Sequence, residues 1–362
     1  MKIYIVTGET SGDKHASNVV RELNKISKNQ FRAWGGKNLE SQNVVIDTNI
    51  KQKNYMGFWE VFKNGYQVLK DLERCKKNIS DFTPDLVLLV DYPGFNLEIA
   101  KYTKENNIKT LYYISPKIWA WKSNRIKKIK KYLDEMFVIF PFEQEYYKKR
   151  DVIVKYFGNP IFENIKEHNF KKILRDKPII SLLPGSRKQE IDKNLPTMLK
   201  VVNEYPDYNF IVSASNNFTL DYYSKIIKNY NVEIIFDRQY DILKSSVASI
   251  ITSGTSTLEA ALLKIPQIVC YKTSFLSFLV ARLFVKVKYI SLVNLLLKKR
   301  SVVELIQNDF NSDNLKYNLD MLLKDAVRKK IISDYNILYD LLHTKKNVST
   351  MIAKRILDIK SS

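Results

Sequence analysis

Twice in this chain a short apolar run stops at a glycine turn and restarts as a helix, and this repetition restricts the fold more than any other feature. Residues 2–6 (KIYIV) lead into Gly8-Glu9-Thr10-Ser11-Gly12-Asp13, after which Ala16, Val19, Val20, Leu23 and Ile26 recur on one helical face. The second copy runs from residues 179–183 through Pro184-Gly185-Ser186-Arg187 into a helix from Glu190. Further strands are predicted at 86–90, 110–114, 135–140, 210–213, 232–236, 248–251 and 267–271, with helical segments between them. The unbroken LVLLV at 86–90 has the pattern of a strand buried on both faces of a parallel sheet. Alternation of this kind predicts an α/β protein with two doubly wound Rossmann-like sheets facing each other across a cleft.

A length of 362 residues suits two such domains. Residues 161–177 turn charged and lose strand character, so the boundary is set there: 1–165 for the first domain and 166–340 for the second. Residues 341–362 are expected to form a C-terminal helix with Ile352, Ile356 and Ile359 on one face. It could pack on the first domain or on a second copy of the chain, which leaves a homodimer open.

Composition removes several classes of function. Cys75 and Cys270 stand too far apart in sequence to suggest a disulfide framework or a zinc site, and His15, His168 and His343 imply no metal cluster. Met1 runs straight into a strand, so no secretory signal peptide is expected. The apolar stretch 275–285 contains Arg282 and is far short of the ~20 residues that span a bilayer. The first glycine turn fits neither G-x-x-x-x-G-K-[ST] nor G-x-G-x-x-G, so neither a nucleoside triphosphatase nor a dinucleotide site is indicated. A net charge of +21 favours a polyanionic partner: nucleic acid, an acidic membrane surface or a phosphorylated substrate.

Four stretches can carry chemistry. In IITSGTSTLEAA (250–261) a strand ends in Ser253, Gly254, Thr255 and Ser256 and opens a helix at Leu258, which suits a phosphate at a helix N-terminus or, more simply, a helix cap. Asp91 follows LVLLV at a strand's carboxyl end, where it is placed either to act on a ligand or to cap a helix starting near Phe95. In 115–132, Trp119, Trp121 and Tyr132 stand among Lys117, Lys122, Arg125, Lys127, Lys128, Lys130 and Lys131, a mixture suited to nucleic acid, to an anionic headgroup layer or to a solvated helix face. MGFWEVF opens a long amphipathic region at 56–79, where Met56, Phe58, Trp59 and Phe62 fit core packing or a lipid-facing surface.

Taken together, GETSGD (8–13), MGFWEV (56–61), VDYPGFN (90–96), YISPKIWAWKSNRIKKIKK (113–131), FPFEQEYY (140–147), LLPGSRKQEI (182–191), SGTSTLEAAL (253–262), YKTS (271–274) and YISLVNLL (289–296) occur in one order and cover most of the chain. In that order they resemble lipid A disaccharide synthase, an inverting glycosyltransferase family of GT-B architecture. The resemblance implies transfer of 2,3-diacylglucosamine from its UDP derivative to the 6-hydroxyl of lipid X, 2,3-diacylglucosamine 1-phosphate. The products are a β-1,6 disaccharide and UDP. The same resemblance implies a cytoplasmic enzyme, peripheral on the inner face of the inner membrane of Gram-negative bacteria. It calls for no cofactor and no metal, and it sets aside nucleic acid as a partner.

It also implies roles. Asp91 matches the proposed general base, and Arg187 is expected to stabilise the leaving UDP. Gly185, Ser186, Arg187, Ser253, Gly254, Thr255, Ser256, Glu259 and Asn294 fall on the UDP-sugar side. Gly8, Glu9, Ser11, Gly12 and Asp13 fall on the acceptor side, with helix capping an equal account of Asp13. Met56, Phe58, Trp59, Trp119, Trp121, Lys122 and Arg125 are expected to face lipid. The chain departs from the family at Gly94, where Asp is usual, at Asn159, where His is usual, and at Lys298-Lys299-Arg300. Other transferases acting on UDP-amino sugars, such as the one that makes lipid II, or a UDP-sugar 2-epimerase, are the nearest alternatives. VDYPGFN and the WAW-basic segment separate them from this reading.

Overall fold

The computed structural model of the chain describes residues 1–50, 65–119, 123–274 and 288–361. They divide into two compact units, Met1–Glu163 with Leu342–Ser362, and Asn164–Leu341. Each unit has a parallel sheet of its own.

In the first unit the strands are β1 (Lys2–Thr7), β2 (Gln30–Gly35), β3 (Val45–Asn49), β4 (Leu86–Val90), β5 (Lys109–Tyr113), β6 (Glu135–Val138) and β7 (Lys155–Tyr156). They lie in the order β3-β2-β1-β4-β5-β6-β7. Helices α1 (Thr10–Ile26), α2 (Lys37–Glu40), α3 (Gly65–Phe82), α4 (Pro93–Glu105), α5 (Ile126–Tyr132), α6 (Pro141–Lys148) and α7 (Ile161–Glu167) follow in the chain. The period-2 alternation of the strands explains why helices cover both faces. Ile3, Ile5, Leu88, Val90 and Leu111 join one core with Ala16, Val19, Val20 and Leu23 of α1. Tyr4, Val6, Val87, Leu89 and Tyr112 join the other with Leu72, Cys75 and Ile79 of α3.

In the second unit β8 (Ile179–Leu183), β9 (Asn209–Ala214), β10 (Val232–Phe236), β11 (Ser246–Thr252), β12 (Gln267–Tyr271) and β13 (Val303–Ile306) lie in the order β10-β9-β8-β11-β12-β13. The accompanying helices are α8 (Lys188–Leu199), α9 (Leu220–Ile227), α10 (Gln239–Ser245), α11 (Thr255–Leu262), α12 (Leu292–Leu297), α13 (Ser312–Leu322) and α14 (Asp325–Leu342). The last helix, α15 (Val348–Ser361), belongs to the first unit, where Ile352, Ala353 and Ile356 enter the α1 core and Thr350 donates to Glu22 of α1 at 2.9 Å.

Both sheets reverse their strand order once, between β1 and β4 in the first unit and between β8 and β11 in the second. Such reversal points open a crevice at the strands' carboxyl ends, and that is where an α/β sheet binds ligands. The α/β class with two doubly wound sheets is thus as expected from the two glycine turns. Four strands carried no sufficient apolar signal: β2 and β3, of mixed polarity, and the edge strands β7 and β13. α4 starts at Pro93, before Phe95, and α11 starts at Thr255, before Leu258. Of the helical region expected at 56–79, α3 covers residues from Gly65 onward; MGFWEVF, with Met56, Phe58 and Trp59, lies outside the described residues. Trp121, Lys122 and the apolar stretch 275–285 also lie outside them.

Candidate active site

In the first unit the turns after β1 and β4 meet at the reversal point. Asp91 and Tyr92 both adopt positive φ, 50° each, in two successive non-glycine residues. Conformations of this kind cost of order 1–3 kcal/mol each and persist only where the surroundings enforce them. The Asp91 N–H donates to the Tyr113 carbonyl at 2.9 Å, and its own carbonyl accepts from Asn96 Nδ2 at 2.7 Å and from the Tyr112 hydroxyl at 2.5 Å. The backbone of Asp91 is therefore held from three sides while its side chain stays half-buried at the strand end. Capping is not its function here, since the N-cap of α4 is Tyr92.

Tyr92 turns back across the β1 turn. Its ring stacks on Phe95, centroids 5.3 Å apart, and lies so close to Gly8 that a Cβ there would overlap it. Gly8 is thus required by the approach of an aromatic ring. Burial raises the pKa of the Tyr92 phenol, and the charges of Asp71 and Glu9 add to the effect, which puts Glu9 beside this ring. Glu9 is half-buried at the N-cap of α1, Ser11 is exposed, and Gly12 lies in ordinary contact with Thr7 and Val90, each 3.7 Å from a built Cβ. Asp13 does not cap α1, whose N-cap is Glu9. Asp13 is fully buried, and its carboxylate accepts from the Gly36 N–H at 2.6 Å, the Asn38 N–H at 3.0 Å and Asn38 Nδ2 at 2.8 Å, fixing the turn after β2.

Two residues expected to face lipid, Trp119 and Arg125, are half-buried. Trp119 is half-buried, edge-on to Phe142 at 5.1 Å, and its indole N–H donates to Glu143 at 3.1 Å. Glu143 is itself buried and accepts from Ser115 Oγ at 2.5 Å and from the N–H groups of Ile139 and Phe140, so the loop after β5 is tied to α6. Arg125 is half-buried against the first turn of α4, where a Cβ on Gly94 would lie 4.0 Å from its Nη2. Asn159, standing where the family has His, is buried and accepts from the Ile161 N–H at 3.0 Å, capping α7.

In the second unit the turns after β8 and β11 meet at the other reversal point. Gly185 has φ +106°, a region that favours glycine, and a Cβ there would come within 2.8 Å of the Glu190 Cβ. Glu190 reaches back from the first turn of α8 to accept from the N–H groups of Ser186 at 3.1 Å and Arg187 at 3.3 Å. The turn's own carboxylate thus occupies two N–H groups that could have met a phosphate. What remains for an anion is the Arg187 side chain, about half exposed at 52% and 3.8 Å from Glu190 Oε1. The Tyr271 phenol at the end of β12 stands beside both: burial raises its pKa, Glu190 raises it further and Arg187 opposes.

The β11 turn is built differently. Gly254 and Thr255 are exposed and Ser256 is half-buried at the start of α11, and no side chain caps that helix at Gly254. Ser253 Oγ donates to the Ile290 carbonyl at 2.7 Å, and Thr257 Oγ1 donates to the Gly254 carbonyl at 2.8 Å, so the turn is held from below while its tip faces outward. Glu259 accepts from Gln239 Nε2 at 2.5 Å and from the Tyr240 hydroxyl at 2.9 Å, which aims it toward α10.

Asn294, expected on the UDP-sugar side, is fully buried, with Oδ1 accepting from Ser301 and Val302 N–H at 2.8 and 2.9 Å and Nδ2 donating to the Val302 carbonyl and Glu304 at 2.9 and 2.8 Å. Its four bonding positions are filled by the protein itself. It fixes Glu304, which holds the N–H groups of Ile290 and Ser291 and so supports the β11 turn through Ile290. Glu190 and Glu304 were not foreseen as part of this site. The spacing of Glu190, three residues after the N-cap Arg187, is the signal that could have found it.

The sequence profile described as lipid-A-disaccharide synthetase matches residues 3–356. Lipid-A-disaccharide synthase 1 of Legionella pneumophila (strain Paris) is 37% identical over 329 residues, 87% of this chain and 86% of that one. The lipid-A-disaccharide synthase of Francisella philomiragia is 35% identical over 350 residues, 92% of each chain. Among solved structures, the UDP-GlcNAc 2-epimerase of Neisseria meningitidis bound to UDP-GlcNAc superposes with a TM-score of 0.66 at 15% identity over 99% of this chain and all of that one, which shows a shared GT-B fold. With the profile matched over almost its whole length and its motifs gathered at both reversal points, the chain belongs to the lipid-A-disaccharide synthetase family.

Proposed function

We propose that this chain is the glycosyltransferase that joins 2,3-diacylglucosamine, carried on UDP, to the 6-hydroxyl of 2,3-diacylglucosamine 1-phosphate. The observation that carries the reading is the family match over residues 3–356. The acceptor oxygen attacks the anomeric carbon in a single displacement that inverts it. The hydroxyl proton passes to the Asp91 carboxylate as the new C–O bond forms, because an alcohol is a weak nucleophile at neutral pH without a base in hydrogen-bond reach. The anomeric bond to UDP breaks with its electron pair going to the diphosphate.

The Arg187 guanidinium meets that developing charge, as does the N-terminal tip of α11 at Gly254, Thr255 and Ser256. Glu259 is proposed to act on the nucleotide's ribose, held in position by Gln239 and Tyr240. Glu9 and Ser11 line the acceptor side. The exposed lysines of α5, Lys127, Lys128, Lys130 and Lys131, are proposed to rest on the anionic inner face of the inner membrane. No helix among the described residues is long and apolar enough to cross a membrane. Equal sedimentation with neutral and anionic vesicles would reject this electrostatic docking.

The decisive test mixes the protein with UDP-2,3-diacylglucosamine and 2,3-diacylglucosamine 1-phosphate. UDP and a β-1,6 disaccharide should appear in equal amounts. UDP without the disaccharide would mean a different acceptor.

A further inference from the structure

Arg125 ends the single 3-10 turn Ser123–Arg125, just before α5. Its guanidinium lies over the first turn of α4, with Nη2 4.0 Å from the position of a Cβ on Gly94. The Tyr112 side chain is buried, and its hydroxyl donates to the Asp91 carbonyl at 2.5 Å. Beyond the dominant effect of burial, the charges of Asp91 and Arg125 both reach that phenol, with opposite sign. Arg125 is partly drawn out of water, and burial lowers its pKa, yet a guanidinium stays charged in any protein. Gly94 contributes no carboxylate at this point, although the family usually has one.

The acceptor carries its phosphate on C1 and its nucleophilic hydroxyl on C6, which is attached to C5, so the two groups leave the ring from the carbons on either side of its oxygen. A base and a cation that both reach one phenol at the same reversal point suit those two groups. We propose that Arg125 recognises the anomeric phosphate of the acceptor and sets the preference for a phosphorylated sugar over the neutral one. The proposal rests on the acceptor reading given above. It makes Arg125 a specificity residue whose guanidinium meets phosphate oxygens, a pairing whose fork geometry lysine reproduces only in part.

The test compares kcat/KM for 2,3-diacylglucosamine 1-phosphate and for the same sugar lacking phosphate, at fixed donor, in the wild type, R125Q and R125K. UDP affinity by calorimetry serves as the check of folding. In the wild type, loss of the phosphate should lower kcat/KM roughly 10- to 100-fold, the span of a charge-assisted contact. R125Q should show that same loss with the phosphorylated acceptor and little further loss without the phosphate, while R125K falls between. An R125Q enzyme that loses equally on both acceptors, or on neither, overturns the proposal. If R125Q fails to bind UDP, R125K decides, and discrimination equal to wild type there overturns it. Absence of disaccharide from the wild type with either acceptor overturns the acceptor reading itself, before any variant is made.

Discussion

The two reversal points have the same topology and opposite chemistry. After β4 two consecutive left-handed residues, Asp91 and Tyr92, are clamped by Tyr112, Asn96 and an aromatic stack, so conformational strain presents a carboxylate at the strand end. After β8 the unusual backbone falls on Gly185, whose missing Cβ admits Glu190, and the turn is relaxed. One turn holds a carboxylate in place and the other presents a cation and a helix tip. In the proposed reaction one fold motif, used twice, would supply a proton-accepting half and a diphosphate-accepting half.

Removing the base should separate the halves most strongly. Asp91→Asn is expected to lower turnover by roughly 10²- to 10⁴-fold, the usual span for a general base. Near-normal turnover would remove Asp91 from the chemistry. On the other side, Arg187→Ala should raise the donor KM by roughly 10- to 100-fold through loss of a charge-assisted contact, with the acceptor KM little changed. A rise in acceptor KM alone would assign Arg187 to the wrong half.

A third variant addresses support. Asn294→Ala should destabilise the second unit by about 1–3 kcal/mol, seen as a lower Tm without ligand, because it strands buried N–H groups of Ser301 and Val302 and a hydrogen bond to Glu304. Wild-type Tm combined with lost UDP affinity would make Asn294 a ligand contact instead of a support.

A fourth variant concerns the first unit alone. His15 Nδ1 is closed off from solvent without a hydrogen-bond partner among the described residues, and burial, with Lys14 adding, pushes its pKa from 6.5 down to about 4. The folded chain therefore binds fewer protons than the unfolded chain between those values. Its contribution to stability is complete above pH 6.5 and is lost as pH falls to about 4, with a slope of at most ~1.4 kcal/mol per pH unit. Denaturation of His15→Gln across that window should show a shallower slope; an unchanged slope would assign the acid sensitivity to other groups.

Much of the scaffold was legible because buried parallel strands read as largely apolar runs. LVLLV of β4 and IISLL of β8, both buried along their whole length, are found at their expected positions, and so are the helices that follow the glycine turns. Strands such as β3, VIDTN, were not legible, since a half-buried edge strand needs little apolar sequence. At the candidate site the motif residues were legible and their partners were not. Nothing in the local sequence of Asn294 announces Ser301, Val302 and Glu304 as its partners, and nothing in the WAW segment announces that Glu143 takes the Trp119 indole or that Arg125 turns toward Gly94. Charge and aromaticity are read from sequence, but side-chain direction is set by packing that only the folded chain supplies.

The division of labour between the two reversal points is tested most directly by titrating UDP into the wild type, Asp91→Asn and Arg187→Ala in one calorimetric series. Asp91→Asn should bind UDP with wild-type affinity and Arg187→Ala should bind it roughly 10- to 100-fold more weakly. Weakened UDP binding by Asp91→Asn with unchanged binding by Arg187→Ala would contradict it.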